Sequence, residues 1–179
     1  VVPTAFLEPG TQDAVAMVEA AMGHTGQVVV KPSVSAGSRD TARFDDRHTA
    51  GAVALAEQIT SGGRTAMVQP YLESVDTHGE TGLVYFGGEF SHGFNKAALL
   101  TDIGAIDRGM FALESIAAQQ PTDEQRSLAE AVLAVAADRF GVVPTYARID
   151  MLADADATSV LLELELTEPS WFLATDPAA

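Results

Sequence analysis

Apolar residues recur along the first half of the chain at two spacings. Val15, Val18 and Met22 fall three or four apart within Thr11 to Met22, and Gly23 follows where a helix stop belongs, so the pattern predicts a short helix. Val28-Val29-Val30 is a continuous β-branched run that predicts a buried strand closing at Lys31-Pro32, with Pro32 biasing Lys31 toward extended backbone. Ser33 to Thr41 is rich in Ser, Ala and Gly without any period, and it predicts a mobile loop of the kind that often carries binding groups. Val53, Leu55 and Ile59 give a second helix over Thr49 to Ile59, stopped by Ser61-Gly62-Gly63. Strand pattern resumes from Arg64 to Gln69.

The second half reads in the same way. Gly87-Gly88 separates Thr81–Phe86 from Glu89–Asn95, the two-residue composition of a tight hairpin. Leu99 to Ala118 has no sustained period and reads as loop with room for one short strand. Thr122 and Gln125 form a capping box that opens a helix running to Phe140, with Gly141 at its end. Thr145–Leu152 and Ser159–Leu166 are two strands joined by the turn-like Asp154-Ala155-Asp156-Ala157-Thr158. No repeat or low-complexity tract interrupts the series.

Chemistry enters through the last two strands. Alternation puts Val160, Leu162, Leu164 and Leu166 on one face of the final strand and Glu163 with Glu165 on the other. Tyr146, Arg148 and Asp150 share a face of the strand before it, and a register pairing Asp150 with Glu163 would gather three carboxylates. Opposed like charges require protonation, an arginine or a bound cation. A cluster of oxygen ligands alone favours a hard ion such as magnesium. The competing reading is a solvated glutamate face, with Arg148 neutralising one acid.

Composition narrows the classes. The chain has 179 residues, with 25 acidic against 10 basic side chains and a formal net charge of −15, which argues against nucleic acid or an anionic membrane surface as partner. No apolar run approaches a membrane span, and the absence of cysteine removes disulfides and thiolate metal sites. Lys31 and Lys96 are the only lysines. A lysine at a strand end beside a Ser/Gly loop offers phosphate a point charge and free backbone N–H groups, although such a lysine is also an ordinary surface residue. No GxxxxGK[ST] occurs, and Gly10, Gly23 and Gly26 do not form a GxGxxG fingerprint. His24, His48, His78 and His92 show no HExxH spacing and read as surface or structural. The opening Val1-Val2-Pro3-Thr4, without Met, reads as a chain lacking its start.

Taken in order, strand-Lys31-Pro32-Ser33, a Ser/Gly loop, a helix, Gln69-Pro70-Tyr71-Leu72, Gly79-Glu80-Thr81, Ala147-Arg148-Ile149-Asp150 and Leu162-Glu163-Leu164-Glu165 resemble the ATP-grasp superfamily from end to end. Gly88-Glu89-Phe90-Ser91-His92 and the string Glu163 to Ser170 are most similar to the cyclo-ligases of D-cycloserine biosynthesis and their actinobacterial relatives. D-alanine:D-alanine ligase and glutathione synthetase are more distant. The resemblance implies an α+β fold of two lobes with mainly antiparallel sheets gripping ATP between them, residues 1–72 forming the smaller lobe and 73–179 the larger. It implies that Lys31 contacts the ATP phosphates while the Ser33 to Asp40 loop closes over them, Ser35, Gly37 and Ser38 supplying donors. Gln69, Pro70, Tyr71 and Leu72 would form the hinge, its backbone reading the adenine edge and Tyr71 or Leu72 covering the ring. Glu80 would accept from the ribose hydroxyls. Asp150, Glu163 and Glu165 would hold magnesium, with manganese as a substitute, and Arg148 would steady the transferred phosphoryl group, with Lys96 a further catalytic candidate.

Two departures from the family stand out. Its last metal motif is Glu-X-Asn, whereas Glu165 occupies the Asn position here and Glu168 is a rival ligand. The family's N-terminal domain and upstream phosphate-binding lysine are not in this chain. The resemblance therefore implies a carboxylate-amine or intramolecular cyclising ligase working through an acyl phosphate on a small carboxylate or amino acid. A small-molecule kinase and a non-catalytic ATP-binding module are the alternatives. Residues 97 to 120, with Arg108, are expected to border the substrate pocket, and the need for ATP implies the cytoplasm.

Overall fold

The computed structural model describes residues 1–10, 13–35, 37–106 and 115–176. Its first unit comprises Val2–Tyr71 and Leu99–Leu113. Strands β1 (Ala5–Leu7), β2 (Gln27–Pro32), β3 (Ala42–Asp45) and β4 (Ala66–Pro70) form an antiparallel sheet in the order β1-β4-β2-β3. Val28 and Val30 of β2, Phe44 of β3 and Val68 of β4 turn one face toward helices α1 (Ala14–Thr25) and α2 (Thr49–Ser61), where Val18, Leu55 and Ile59 complete a dry core. Each such fully buried aliphatic side chain contributes about 1.5–3 kcal/mol.

The start and stop of α1 differ from the sequence expectation. Asp13 is the N-cap, its carboxylate accepting from the N–H groups of Val15 and Ala16. The helix runs through Gly23 and stops at Gly26, which takes the left-handed conformation (φ 76°) and donates its N–H to Met22 O. Gly23 costs the helix about 1 kcal/mol relative to alanine but does not break it. Leu99 onward returns to this unit: Gly104 N–H donates to Arg43 O at 2.7 Å, and Ile106 packs on the core. Arg108 lies outside the described residues.

The second unit comprises Leu72–Ala98 and Glu114–Ala179. After the short helix α3 (Ser74–His78), strands β5 (Glu80–Phe86) and β6 (Glu89–Lys96) form the expected hairpin, with Gly87 and Gly88 at φ 61° and 86° as a primed turn requires. β7 (Ile116–Ala118), β8 (Tyr146–Ala153) and β9 (Ser159–Glu165) extend it into an antiparallel sheet in the order β7-β6-β5-β8-β9. Leu83, Tyr85, Ala147, Ile149 and Met151 bury one face under helix α4 (Asp123–Phe140), whose capping box and left-handed Gly141 are as the sequence predicts. The other face carries the polar residues.

Candidate active site

Asp150 pairs directly with Glu163, and Arg148 with Glu165, across β8 and β9. That register brings carboxylate oxygens of Asp150, Glu163 and Glu165 within 4.8 Å of one another. The expected alternation in β9 is broken at one point. Asp150 faces Glu163 while Met151 faces Leu161, so Leu162 is an extra residue in the strand. Leu161, Leu164 and Leu166 therefore meet the core, and Val160 and Leu162 do not. Both glutamates lie beyond the bulge, so their grouping with Asp150 survives. Glu168, in the left-handed conformation at φ 53°, is outside the cluster.

Arg148 ties these acids together. Its Nε lies 2.9 Å and 3.0 Å from the two Asp150 oxygens, and its Nη2 donates to Asp150 at 2.6 Å and to Glu165 at 2.5 Å. The third nitrogen, Nη1, donates to Ser170 O at 3.1 Å. Glu163 has no ion pair among the described residues. On the neighbouring strands, Lys96 Nζ sits 2.6 Å from Glu80 Oε1 across a directly paired register position. The contact is a close ion pair between two largely buried side chains.

The electrostatics of the face point one way. Burial raises the Glu80 carboxyl to about 7; Lys96 opposes the rise and Asp150 adds to it. Burial also raises Glu165, with Arg148 opposing and Glu163 and Asp150 adding. At Lys96 and Arg148 burial works against the charged form, yet the nearby carboxylates outweigh it and both groups are raised. The ion pair alone would lower Glu80 while raising Lys96. Glu80 rises because its burial outweighs Lys96, and Lys96 rises because the Glu80 and Asp150 carboxylates outweigh its own burial; four carboxylates against two cations give the face a formal charge of about −2. A divalent cation matches that deficit, and an all-oxygen donor set with a 4.8 Å spread suits a hard ion, so the residues present fit magnesium.

The floor of the site is aromatic. Gly82 stands beside Asp150, and a Cβ placed on it would come within 2.1 Å of the Phe94 ring, so only glycine lets Phe94 lie flat over β5. Phe172 packs tilted against Phe94 with ring centroids 4.6 Å apart, and the Arg148 guanidinium lies 5.9 Å and 5.7 Å from the Phe94 and Phe172 rings. Trp171 packs against Phe86 and Tyr146. His92, only 3% exposed, contacts Trp171 O through Nε2 at 2.8 Å. Sequence reasoning missed this strap over the sheet because its contacts span 79 positions, and the only local signal is the aromatic pair itself.

The remaining candidates, Leu72 excepted, lie in the first unit. Lys31 is on the sheet face turned away from α1 and α2, half-buried and without a carboxylate partner among the described residues. It lies within β2 and does not end the strand, since Pro32 still pairs with Ala66. The Ser33 to Asp40 loop is tethered: Ser33 N–H donates to Thr65 O, Ser35 Oγ donates to Arg39 O, and Asp40 pairs with Arg64 at 2.8 Å. Gly37, Ser38 and Asp40 are left-handed within it. The Gln69 amide is engaged with Thr4 Oγ1 at 2.7 Å. Tyr71 N–H donates to Gln27 O, and its ring is covered by Arg43 at 3.6 Å. Pro70 offers no N–H. Leu72 is half-buried and belongs to the second unit.

No family model matches the sequence. The cycloserine biosynthesis protein DcsG of Streptomyces lavendulae is 35% identical over 175 residues, which covers 95% of this chain and 58% of DcsG. The crystal structure of D-cycloserine synthetase DcsG superposes with a TM-score of 0.87 at 34% identity, over 98% of this chain and 60% of that one. The chain has the ATP-grasp fold. Two more distant structures share the ATP-grasp fold. The ligase PsnB, complexed with minimal precursor, Mg and ADP, gives a TM-score of 0.64 at 18% identity over all of this chain and 49% of PsnB. D-alanine–D-alanine ligase from Bacillus anthracis, complexed with ATP, gives 0.61 at 13% over 92% of this chain and 48% of the ligase. The chain described here thus spans a little over half the length of DcsG.

Proposed function

We propose that this chain binds ATP with magnesium and is the nucleotide-binding part of a ligase that activates a carboxylate as an acyl phosphate for attack by an amine. The observation that carries the reading is the juxtaposition of Asp150, Glu163 and Glu165 with Arg148, on a fold shared closely with DcsG. The solved ATP-grasp ligases named above hold ATP, or ADP with Mg.

In the ligase reading, a substrate carboxylate oxygen attacks the γ-phosphorus, the bond to the β-phosphate oxygen breaks, and ADP leaves. An amine nitrogen, on a second molecule or on the same one, then attacks the acyl carbon and expels inorganic phosphate. Such chemistry asks the protein mainly for position and charge neutralisation, because the transition state spreads negative charge over phosphoryl oxygens. Magnesium, held by Asp150, Glu163 and Glu165, would supply part of that neutralisation. Arg148, once its carboxylate partners are otherwise neutralised, presents its guanidinium to the transferred group. Lys96 adds a second buried cation, and Glu80 supplies the carboxylate for ribose hydroxyls.

Lys31 is assigned to the phosphates, with Ser35, Gly37 and Ser38 as loop donors. Because the Tyr71 ring is already stacked under Arg43 and its N–H is spent within its own sheet, Leu72 is the better apolar cover for adenine. The backbone of Gln69 and Pro70 remains the assigned adenine edge. Glu165, in place of the family's Asn, adds negative charge and strengthens cation binding. Manganese should substitute, and the need for ATP places the protein in the cytoplasm. Incubation of the protein at its natural length with Mg–ATP and pools of amino acids, followed by ADP measurement, tests the activity. Amine-dependent ADP release is expected, and a stable phosphorylated product with no amine requirement would overturn the ligase reading.

A further inference from the structure

His92, Val84 and Arg148 form one row across β6, β5 and β8, His92 pairing with Val84 and Val84 with Arg148. The two outer members of that row each hold a carbonyl of the segment that follows β9, and the two carbonyls are consecutive. His92 Nε2 meets Trp171 O at 2.8 Å, and Arg148 Nη1 donates to Ser170 O at 3.1 Å. A ring nitrogen that faces a carbonyl must carry the proton, which fixes the imidazole as an Nε2 donor. Nδ1 then accepts from Ser91 Oγ at 3.0 Å, so both ring nitrogens are satisfied and the ring has a single orientation. The same segment returns a second contact to Arg148 through Phe172, which packs tilted against Phe94.

We infer that His92 is a positioning residue for Arg148, acting through the Ser170–Phe172 strap. Arg148 has five N–H donors in a rigid plane, and Asp150 and Glu165 occupy one edge of it. Those bonds hold the Nε–Nη2 edge and leave Nη1 to be held from elsewhere. The Ser170 carbonyl holds Nη1, and the strap that presents it is in turn held one peptide away by His92. Trp171, wedged between Phe86 and Tyr146, keeps that peptide from rotating. The inference rests on the proposed function only for its consequence, a fixed guanidinium ready for the phosphoryl group; the positioning itself stands on contacts within one unit.

The direct readout is the Arg148 Nε–H resonance in 15N-correlated spectra of the 179-residue chain, assigned as the arginine peak lost in Arg148→Lys. Burial and charge-assisted bonds to Asp150 set this peak apart from exposed arginines. His92→Leu should move the peak at least about half-way toward the exposed-arginine cluster, or broaden it away, while His92→Gln, which keeps a donor at similar reach, should restore it. Phe172→Ala removes the other strap contact and should move the same peak, which covers the case in which His92→Leu does not fold. An unchanged Arg148 peak in a folded His92→Leu or Phe172→Ala chain overturns the inference. Calorimetry with Mg–ATP separates it from the functional reading: a wild-type chain that binds no Mg–ATP defeats the ATP assignment, while the Arg148 resonance still decides the positioning.

Discussion

Glu80→Gln should flatten the pH dependence of the chain's stability. Glu80 is buried opposite Lys96, and its carboxyl rises from 4.5 to about 7 on folding. A raised acid pKa means that the folded chain binds the proton more tightly than the unfolded one. The associated stability is fully present below pH 4.5 and is lost as pH rises through about 7. A shift from 4.5 to about 7, at 1.36 kcal/mol per pKa unit, gives a loss of about 3 kcal/mol across that window. Urea unfolding at pH 5 and at pH 7.5, with and without Glu80→Gln, measures the difference. Because part of the unfolded-state titration already lies below pH 5, the wild type should lose about 2 kcal/mol more than the variant between the two pH values. Parallel losses in the two proteins would refute the reasoning, because Glu80 would then titrate alike in the folded and unfolded chains.

Gly82→Ala forces a Cβ to within 2.1 Å of Phe94 and should cost about 3 kcal/mol in thermal unfolding, with loss of Mg–ATP binding because Phe94 and Phe172 support Arg148. Retention of both stability and binding would contradict the assigned role of the aromatic floor. Tyr85→Phe removes a buried hydroxyl that lacks a hydrogen-bond partner among the described residues, so stability should hold or rise by about 1 kcal/mol; a clear fall in denaturation midpoint would show that the hydroxyl is satisfied in solution.

Much of this architecture is legible because its causes are local. The α4 capping box and the Gly87-Gly88 turn each sit within a few residues of the structure they dictate. The carboxylate cluster is legible through strand alternation, and the observed pairing of Asp150 with Glu163 is the register that alternation suggests. The bulge at Leu162 is not legible, because neither Gly nor Pro marks it and a leucine fits either face. The end of α1 turns on which of two glycines takes a left-handed conformation, a choice between Gly23 and Gly26 that the apolar pattern leaves open. His92 and the strap are set by packing between β6 and residues 79 positions away, so the histidine reads as structural until the fold brings it to Trp171 O.

The central claim is that Asp150, Glu163 and Glu165 form a cation site serving ATP. Calorimetric titration of the chain with ATP, in magnesium and then in excess chelator, compared between wild type and Asp150→Asn, tests it most directly. The account predicts magnesium-dependent ATP binding in the wild type and at least about a tenfold weakening in Asp150→Asn, the loss expected when one charged ligand is removed. ATP binding that is unaffected by magnesium, or equal in the two proteins, would contradict it.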